Sequence, residues 1–294
     1  MSKKTRIFLI VFFVCALLSF IVSISTADAK KQSGGSLFSG FSKQVGVVKI
    51  EDIIMQSGDI VKEINDFRDD DNTAVILLRI NSPGGAVAPA QEIYSAVRKA
   101  AEKKPVIVSM GAVAASGGYY IASGANKIFA NGGTLTGSIG VIAEFPRYDE
   151  LLNKIGISIE VITAGKLKDA GSPVRELTKE ERKYFDDLLK DTHEQFIRDV
   201  AAGRNMDLDY IRALSEGQIF TGRQALDLGL VDALGTFDDA KNYILETYEL
   251  PKNTKFQETM NYRRFWRYFS SKNPLKNILP FRKSGIYFIA EQLM

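Results

Sequence analysis

Three loops of this 294-residue chain carry residue types that could act together on a carbonyl group. The first, N-S-P-G-G at 81–85, follows a buried-looking β-branched run and precedes a helical pattern. Two glycines at such a turn let backbone N–H groups approach a ligand closely, and a helix N-terminus adds positive potential, which suits an oxyanion. Pro-Gly-Gly is also an ordinary tight turn. In the second loop, residues 111–120, small residues crowd around one hydroxyl, Ser116. That serine reads either as a helix N-cap, worth about 1 kcal/mol, or as an exposed nucleophile at a strand–turn–helix junction. Ala114 occupies the first glycine position of the G-x-S-x-G elbow, so that motif is not matched. The third loop, residues 165–175, holds Lys166 and Lys168. An isolated lysine is ordinarily a solvated charge; it becomes a general base only where burial lowers its pKa.

What the chain lacks narrows the chemistry. Its single histidine, His193, lies in residues 178–203, where Phe185, Leu189, Phe196 and Val200 recur at helical spacing and Thr178 with Glu181 forms a capping box. His193 therefore reads as a structural residue along that stripe. A hydrolase built on this sequence needs a base other than histidine, and a His-rich metal site is excluded. Cys15, the one cysteine, fills an apolar run, so neither disulfides nor a cysteine metal site are expected, and Phe12-Phe13-Val14 before it lacks the small residues of a lipoprotein signal. A net charge of +3 gives no dense basic face for nucleic acid. No metal or cofactor is expected.

The elements that must position these loops alternate. Strands are expected at 47–50, 75–80, 106–110, 127–130 and 158–163, with helices at 60–67, 88–101, 119–122 and 149–155, and mostly helix from 178 through 237–248. That order argues for an α/β fold with a largely parallel sheet and helices outside it. Residues 7–25 are uncharged and apolar after Lys3, Lys4 and Arg6. Nineteen residues span roughly 28 Å as a helix, which fits a signal anchor crossing a bilayer. The flanking charges put the amino end in the cytoplasm and the remainder outside; Ala27-Asp28-Ala29 resembles a cleavage site. The resulting division is 1–31 stub and anchor, 32–43 Gly/Ser-rich tether, 44–250 catalytic domain and 251–294 extension. In the extension, residues 262–269 interleave aromatics with arginines, a pattern suited to a membrane surface, an oligomer contact or a disordered tail.

Five segments together resemble the signal peptide peptidase A (protease IV) family of the Clp-protease/crotonase superfamily. They are I-N-S-P-G-G (80–85), A-A-S-G-G-Y-Y (114–120), T-G-S-I-G-V (136–141), K-D-x-x-S-P-x-R (168–175) and F-T-G-R-x-A-x-x-x-G-L-V-D (220–232), within a match running from 47 to 236. The resemblance implies a sheet of repeated β-β-α units and a Ser/Lys dyad. Ser116 would be the nucleophile. Lys168 would be the base, since the family's lysine immediately precedes the aspartate of K-D-x-x-S-P. Ser138 would orient that lysine, Gly117 and Gly84 would supply the oxyanion hole, and Ala86 and Val87 would wall a small apolar pocket. It also implies a bacterial inner-membrane peptidase with its catalytic domain on the outer side, degrading remnant signal peptides. The resemblance to the short single-domain form further implies a ring or dome of about eight chains, with the dyad formed either within one chain or across two subunits. Activity should rise toward alkaline pH. Alternatives are a membrane peptidase acting on a specific membrane-protein partner, a crotonase-type acyl-CoA enzyme without a serine nucleophile, and a non-catalytic scaffold.

Overall fold

A computed structural model describes residues 43–259 and a strand at Ile286–Ile289. The expected anchor at 7–25, the tether at 32–42 and the aromatic–arginine run at 262–269 lie outside the described residues. Among the described residues no helix is long and apolar enough to cross a membrane. In chain order the strands are β1 (Gln44–Glu51), β2 (Thr73–Ser82), β3 (Gly84–Ala86), β4 (Val106–Ala115), β5 (Lys127–Ala130), β6 (Leu135–Gly137), β7 (Ile142–Ala143), β8 (Ile219–Thr221), β9 (Ala233–Leu234), β10 (Phe256–Glu258) and β11 (Ile286–Ile289). The helices are α1 (Gly58–Asp69), α2 (Val87–Ala101), α3 (Gly117–Ser123), α4 (Asp149–Lys154), α5 (Lys179–Arg204), α6 (Leu208–Ala213), α7 (Gly222–Asp227) and α8 (Phe237–Thr247).

The larger sheet has the order β10-β1-β2-β4-β5-β9, every neighbouring pair parallel, with β6 parallel to the end of β4 and β8 antiparallel to β6. Parallel strands buried on both faces carry continuous apolar runs rather than alternation. β2 accordingly has Val75, Ile76, Leu77 and Leu78 with no solvent exposure. Alternate residues serve two cores. Val48, Ile76, Leu78 and Val108 pack with Ile93, Val97, Tyr120 and Phe196 of α2, α3 and α5 on one face. Val45, Val47, Val75, Leu77 and Ile107 pack with Ala240 and Ile244 of α8 on the other. The Thr178/Glu181 capping box forms as expected, and Thr221/Gln224 and Thr236/Asp239 repeat it at α7 and α8.

Three expectations are corrected. Residues 158–163 form no strand. Their apolar side chains have the alternation of one, but Ile157, Ile159 and Val161 are about half exposed and Ile162 is 90% exposed. A strand needs a partner for its backbone and a surface for its apolar face, and among the described residues this segment has neither. Second, N-S-P-G-G does not lead directly into a helix, because β3 intervenes and bridges Ile54. Third, the helix expected at 119–122 starts at Gly117 with Ser116 in the N-cap position, yet the serine side chain makes no capping hydrogen bond. The N-cap reading of Ser116 therefore fails.

Candidate active site

Ser116 sits where β4 ends between two other strand ends. Ala114 pairs with Ser82 of β2, and Ala115 pairs with Gly137 of β6. The Ser116 N–H donates to the Gly137 carbonyl at 2.7 Å, and its own carbonyl accepts from Tyr120 N–H at 2.8 Å. Pinned at both ends, the residue takes φ 50° and ψ −117°. A non-glycine residue in such a conformation costs of order 1–3 kcal/mol and persists only where its surroundings enforce it. Those surroundings are tight: a Cβ on Gly118 would lie 2.8 Å from the Ser82 carbonyl oxygen. Asn81 accepts from Val113 N–H at 3.2 Å and so supports the same stretch of β4. Ser116 is 1% exposed, and its Oγ has no hydrogen-bond partner among the described residues.

Ser138 and Gly117 are beside it. Ser138 directly follows the Gly137 carbonyl that holds Ser116, is itself buried at φ 51°, and donates its N–H to Gln218 O at 2.8 Å. Thr136 Oγ1 donates to Ala114 O at 2.6 Å, tying β6 to the nucleophile strand. Gly117 occupies the first position of α3, where the backbone N–H has no intrahelical acceptor. Gly84 differs from expectation. At φ 105° its N–H donates to Ser82 Oγ at 3.1 Å, so in this conformation that donor is already engaged. Ala86 and Val87, half-buried, lie at the junction of β3 and α2.

No hydrogen bond joins Lys168 to Ser116 among the described residues. It lies exposed in the irregular arm between α4 and α5, and no hydrogen bond reaches the Ser116 hydroxyl. Lys166 is engaged in a 2.7 Å ion pair with Glu180, whereas Lys168 has no ion pair among the described residues. The arm's shape comes from residues that motif spacing alone did not single out. Arg175 donates to Asp169 Oδ2 and to the Asp169 carbonyl, both at 2.9 Å, and to both Glu181 oxygens at 2.9 and 2.6 Å. It thus ties the residue after Lys168 to the first turn of α5. The Arg175 guanidinium, with the Thr178 N–H, holds the Glu181 carboxyl down at about 2. The signal was present in the Asp and Arg of K-D-x-x-S-P-x-R and in the capping glutamate. His193 is half-buried on α5, and its Nε2 is unpartnered.

Comparison with known proteins places this geometry in context. Residues 98–250 match the model of peptidase family S49, and residues 43–131 match that of Clp protease. A candidate protease of Synechocystis is 48% identical over 168 residues, covering 57% of this chain and 61% of that protein. A candidate signal peptide peptidase SppA of Enterococcus faecium is 36% identical over 193 residues, covering 65% and 56%. Protease 4 of Haemophilus influenzae is 33% identical over 226 residues, covering 73% and 36%. The chain thus spans less than two thirds of the length of each of these relatives.

Proposed function

The chain belongs to peptidase family S49, and on that premise we propose that it is a serine peptidase with Ser116 as nucleophile and Lys168 as general base. The observation that carries the reading is the strained, buried and unpartnered Ser116 hydroxyl. A hydroxyl left without a partner in a buried site costs about 1–3 kcal/mol, which a structural serine would avoid. Neutral Lys168 takes the Ser116 proton as Oγ attacks a peptide carbonyl, and the resulting ammonium protonates the leaving amine. The acyl-enzyme is then hydrolysed by water activated in the same way. Gly117 N–H is our first oxyanion donor, worth about 3 kcal/mol in the transition state. Gly84 can serve as a second only if its bond to Ser82 Oγ opens. Ser138 orients the lysine, and Ala86 and Val87 wall an apolar pocket.

In this reading Lys168 reaches Ser116 of a neighbouring copy. The arm that carries it and the α4 helix before it also carry Leu151, Ile155, Ile157, Ile159 and Ile162, each between 47% and 90% exposed. Apolar surface of that extent on one segment marks an interaction face. A ring or dome of copies would cover that face and bury Lys168 beside the nucleophile of the neighbouring copy. We further propose the four-part division at 31, 43 and 250, an inner-membrane anchor at 7–25, an outward-facing catalytic domain, and remnant signal peptides as substrates. The test is complementation between inactive variants. Ser116→Ala and Lys168→Ala should each abolish peptide hydrolysis alone, and mixing them should restore part of it through wild-type Ser116 and Lys168 meeting at a shared interface. Full activity in either single variant refutes the dyad.

A further inference from the structure

β4 carries two residues more than its neighbour β2 can pair, and it carries them just ahead of the candidate nucleophile. Ile80 of β2 pairs with Met110 of β4, and the next pair is Ser82 with Ala114, so Asn81 alone stands opposite Gly111, Ala112 and Val113. A bulge of this kind interrupts the hydrogen-bond ladder, bends its strand and re-aims the side chains beyond it. Here the bend coincides with a change of neighbour. Before the bulge β4 pairs with β5 through Ile107, Val108 and Ser109; from Val113 to Ala115 it pairs with β6. Gly137 of β6 is the residue whose carbonyl holds the Ser116 N–H. The bulge therefore brings β4 to the strand that fixes Ser116.

Side chains take over where the ladder stops. Arg79 Nη1 donates to Met110 O at 2.9 Å, and Asn131 Nδ2 donates to the same carbonyl at 3.3 Å. Thr134 Oγ1 donates to Gly111 O at 2.7 Å. These three residues hold carbonyls. Asn81 holds an N–H: its Oδ1 accepts from Val113, three residues before Ser116, at 3.2 Å. The Asn81 carbonyl accepts in turn from Asp52 N–H at 3.2 Å, which fixes the base of the side chain. A Cβ at position 111 would lie 2.7 Å from Asn81 Oδ1 and 2.9 Å from its Cβ and Cγ, so the amide occupies space that any larger residue at 111 would need. Asn81 is nonetheless exposed. A hydrogen bond open to water adds little to the stability of a fold. Folding alone does not account for so close a fit.

Resting on the reading of Ser116 as the nucleophile, we propose that Asn81 is a positioning residue whose side-chain amide clamps the β4 bulge and so sets the place of the Ser116 hydroxyl. Asn81 also opens the loop that carries Gly84, so one residue joins the nucleophile strand to the glycine turn beside it. Attack on a carbonyl tolerates little displacement, and a misplacement of about 1 Å costs on the order of 100-fold in rate. Losing the clamp frees Val113 and the three residues that lead to Ser116. Arg79, Asn131 and Thr134 still hold the other side of the bulge, so the fold persists while the rate falls.

The experiment compares the full chain with Asn81→Ala, Asn81→Asp, Gly111→Ala and Ser116→Ala, using an apolar fluorogenic peptide as substrate. Asn81→Ala should lower kcat by about 10- to 100-fold at unchanged KM, because the displaced group reacts with substrate and does not bind it. Its Tm should fall by no more than roughly 4 °C, the effect of one solvated hydrogen bond. Asn81→Asp keeps an acceptor at the same place and should restore most of the lost kcat. Gly111→Ala leaves Asn81 in the chain but drives its amide out of place, and should lower kcat in the same way. An unchanged kcat in Asn81→Ala or in Gly111→Ala overturns the proposal, as does a loss that Asn81→Asp fails to restore. A raised KM at constant kcat would make Asn81 a substrate contact, and loss of the native circular-dichroism spectrum in Asn81→Ala would make it a folding residue; either overturns the positioning role. With Ser116→Ala inactive, such results leave the peptidase reading standing, whereas turnover by Ser116→Ala overturns that reading instead.

Discussion

Ser116→Ala should make the fold firmer while removing the chemistry, and the size of the gain should depend on Lys168. In a single chain the Ser116 Oγ is buried and has no hydrogen-bond partner among the described residues, and deleting such a group returns about 1–3 kcal/mol. For a domain of this size each 1 kcal/mol moves Tm by roughly 2–4 °C. In a Lys168→Ala background, which removes the proposed partner of the hydroxyl, Ser116→Ala should therefore raise Tm by roughly 2–12 °C. With Lys168 present and the copies assembled, the hydroxyl has a partner, and its deletion loses a hydrogen bond of about 1 kcal/mol. The gain should shrink by that amount. A double-mutant cycle on full-length protein, read by urea or thermal unfolding, measures the difference as a coupling energy. Peptide hydrolysis assayed on the same samples should fall by at least about 10⁴-fold in each variant containing Ser116→Ala. Ser116→Gly should be more stable than Ser116→Ala, because glycine also relieves the φ of 50°. Strict additivity, with coupling below about 0.3 kcal/mol, would refute contact between the two residues. No stabilisation in the Lys168→Ala background would refute the unpartnered hydroxyl.

Four other outcomes follow from the same geometry. Gly118→Ala puts a Cβ 2.8 Å from the Ser82 carbonyl oxygen, and should cost about 1–3 kcal/mol in unfolding experiments while displacing Ser116 and lowering kcat. Arg175→Ala frees Asp169 and Glu181; it should reduce kcat while leaving the circular-dichroism spectrum unchanged, because the parallel sheet does not depend on the arm. Ile157→Glu with Ile162→Glu should shift the protein to a smaller species in light scattering and abolish hydrolysis. Glu181 is held at about 2 against an ordinary value near 4.5. Its contribution is thus complete above about pH 4.5 and lost as pH falls toward 2, so the wild-type Tm should fall more steeply across that window than the Tm of Glu181→Gln, which lacks the contribution throughout; equal slopes would refute it.

Much of the architecture was legible in the chain because it rests on local patterns. The β-branched apolar runs at 75–80 and 106–110 read as strands, and Thr178 with Glu181 announced the start of α5. The loops alone left Ser116 open between a cap and a nucleophile, and the resemblance carried by five ordered motifs singled out the serine and its glycines. Other features required the third dimension. Whether Ser116 capped a helix or stood free depended on the backbone angle forced by Gly137 and Tyr120, contacts 21 and four residues away in sequence, which no spacing encodes. The segment at 158–163 has the alternation of a strand, but alternation specifies only which face is apolar and not whether a partner exists to cover it.

What the sequence determined by itself was the inventory: one histidine, a serine among glycines, a lysine before an aspartate, and the alternation of strands and helices that places such loops at strand ends. Residue type and short-range periodicity carry that information directly. Tertiary structure decided which groups are free and which are engaged. It left the Ser116 hydroxyl without a partner among the described residues, engaged the Gly84 N–H with Ser82, put Lys168 on an exposed arm, and laid the strand at 286–289 beside Gly85, some 200 residues distant in sequence. Hydrogen-bond satisfaction is a property of neighbours in space, so it appears only when the chain is folded.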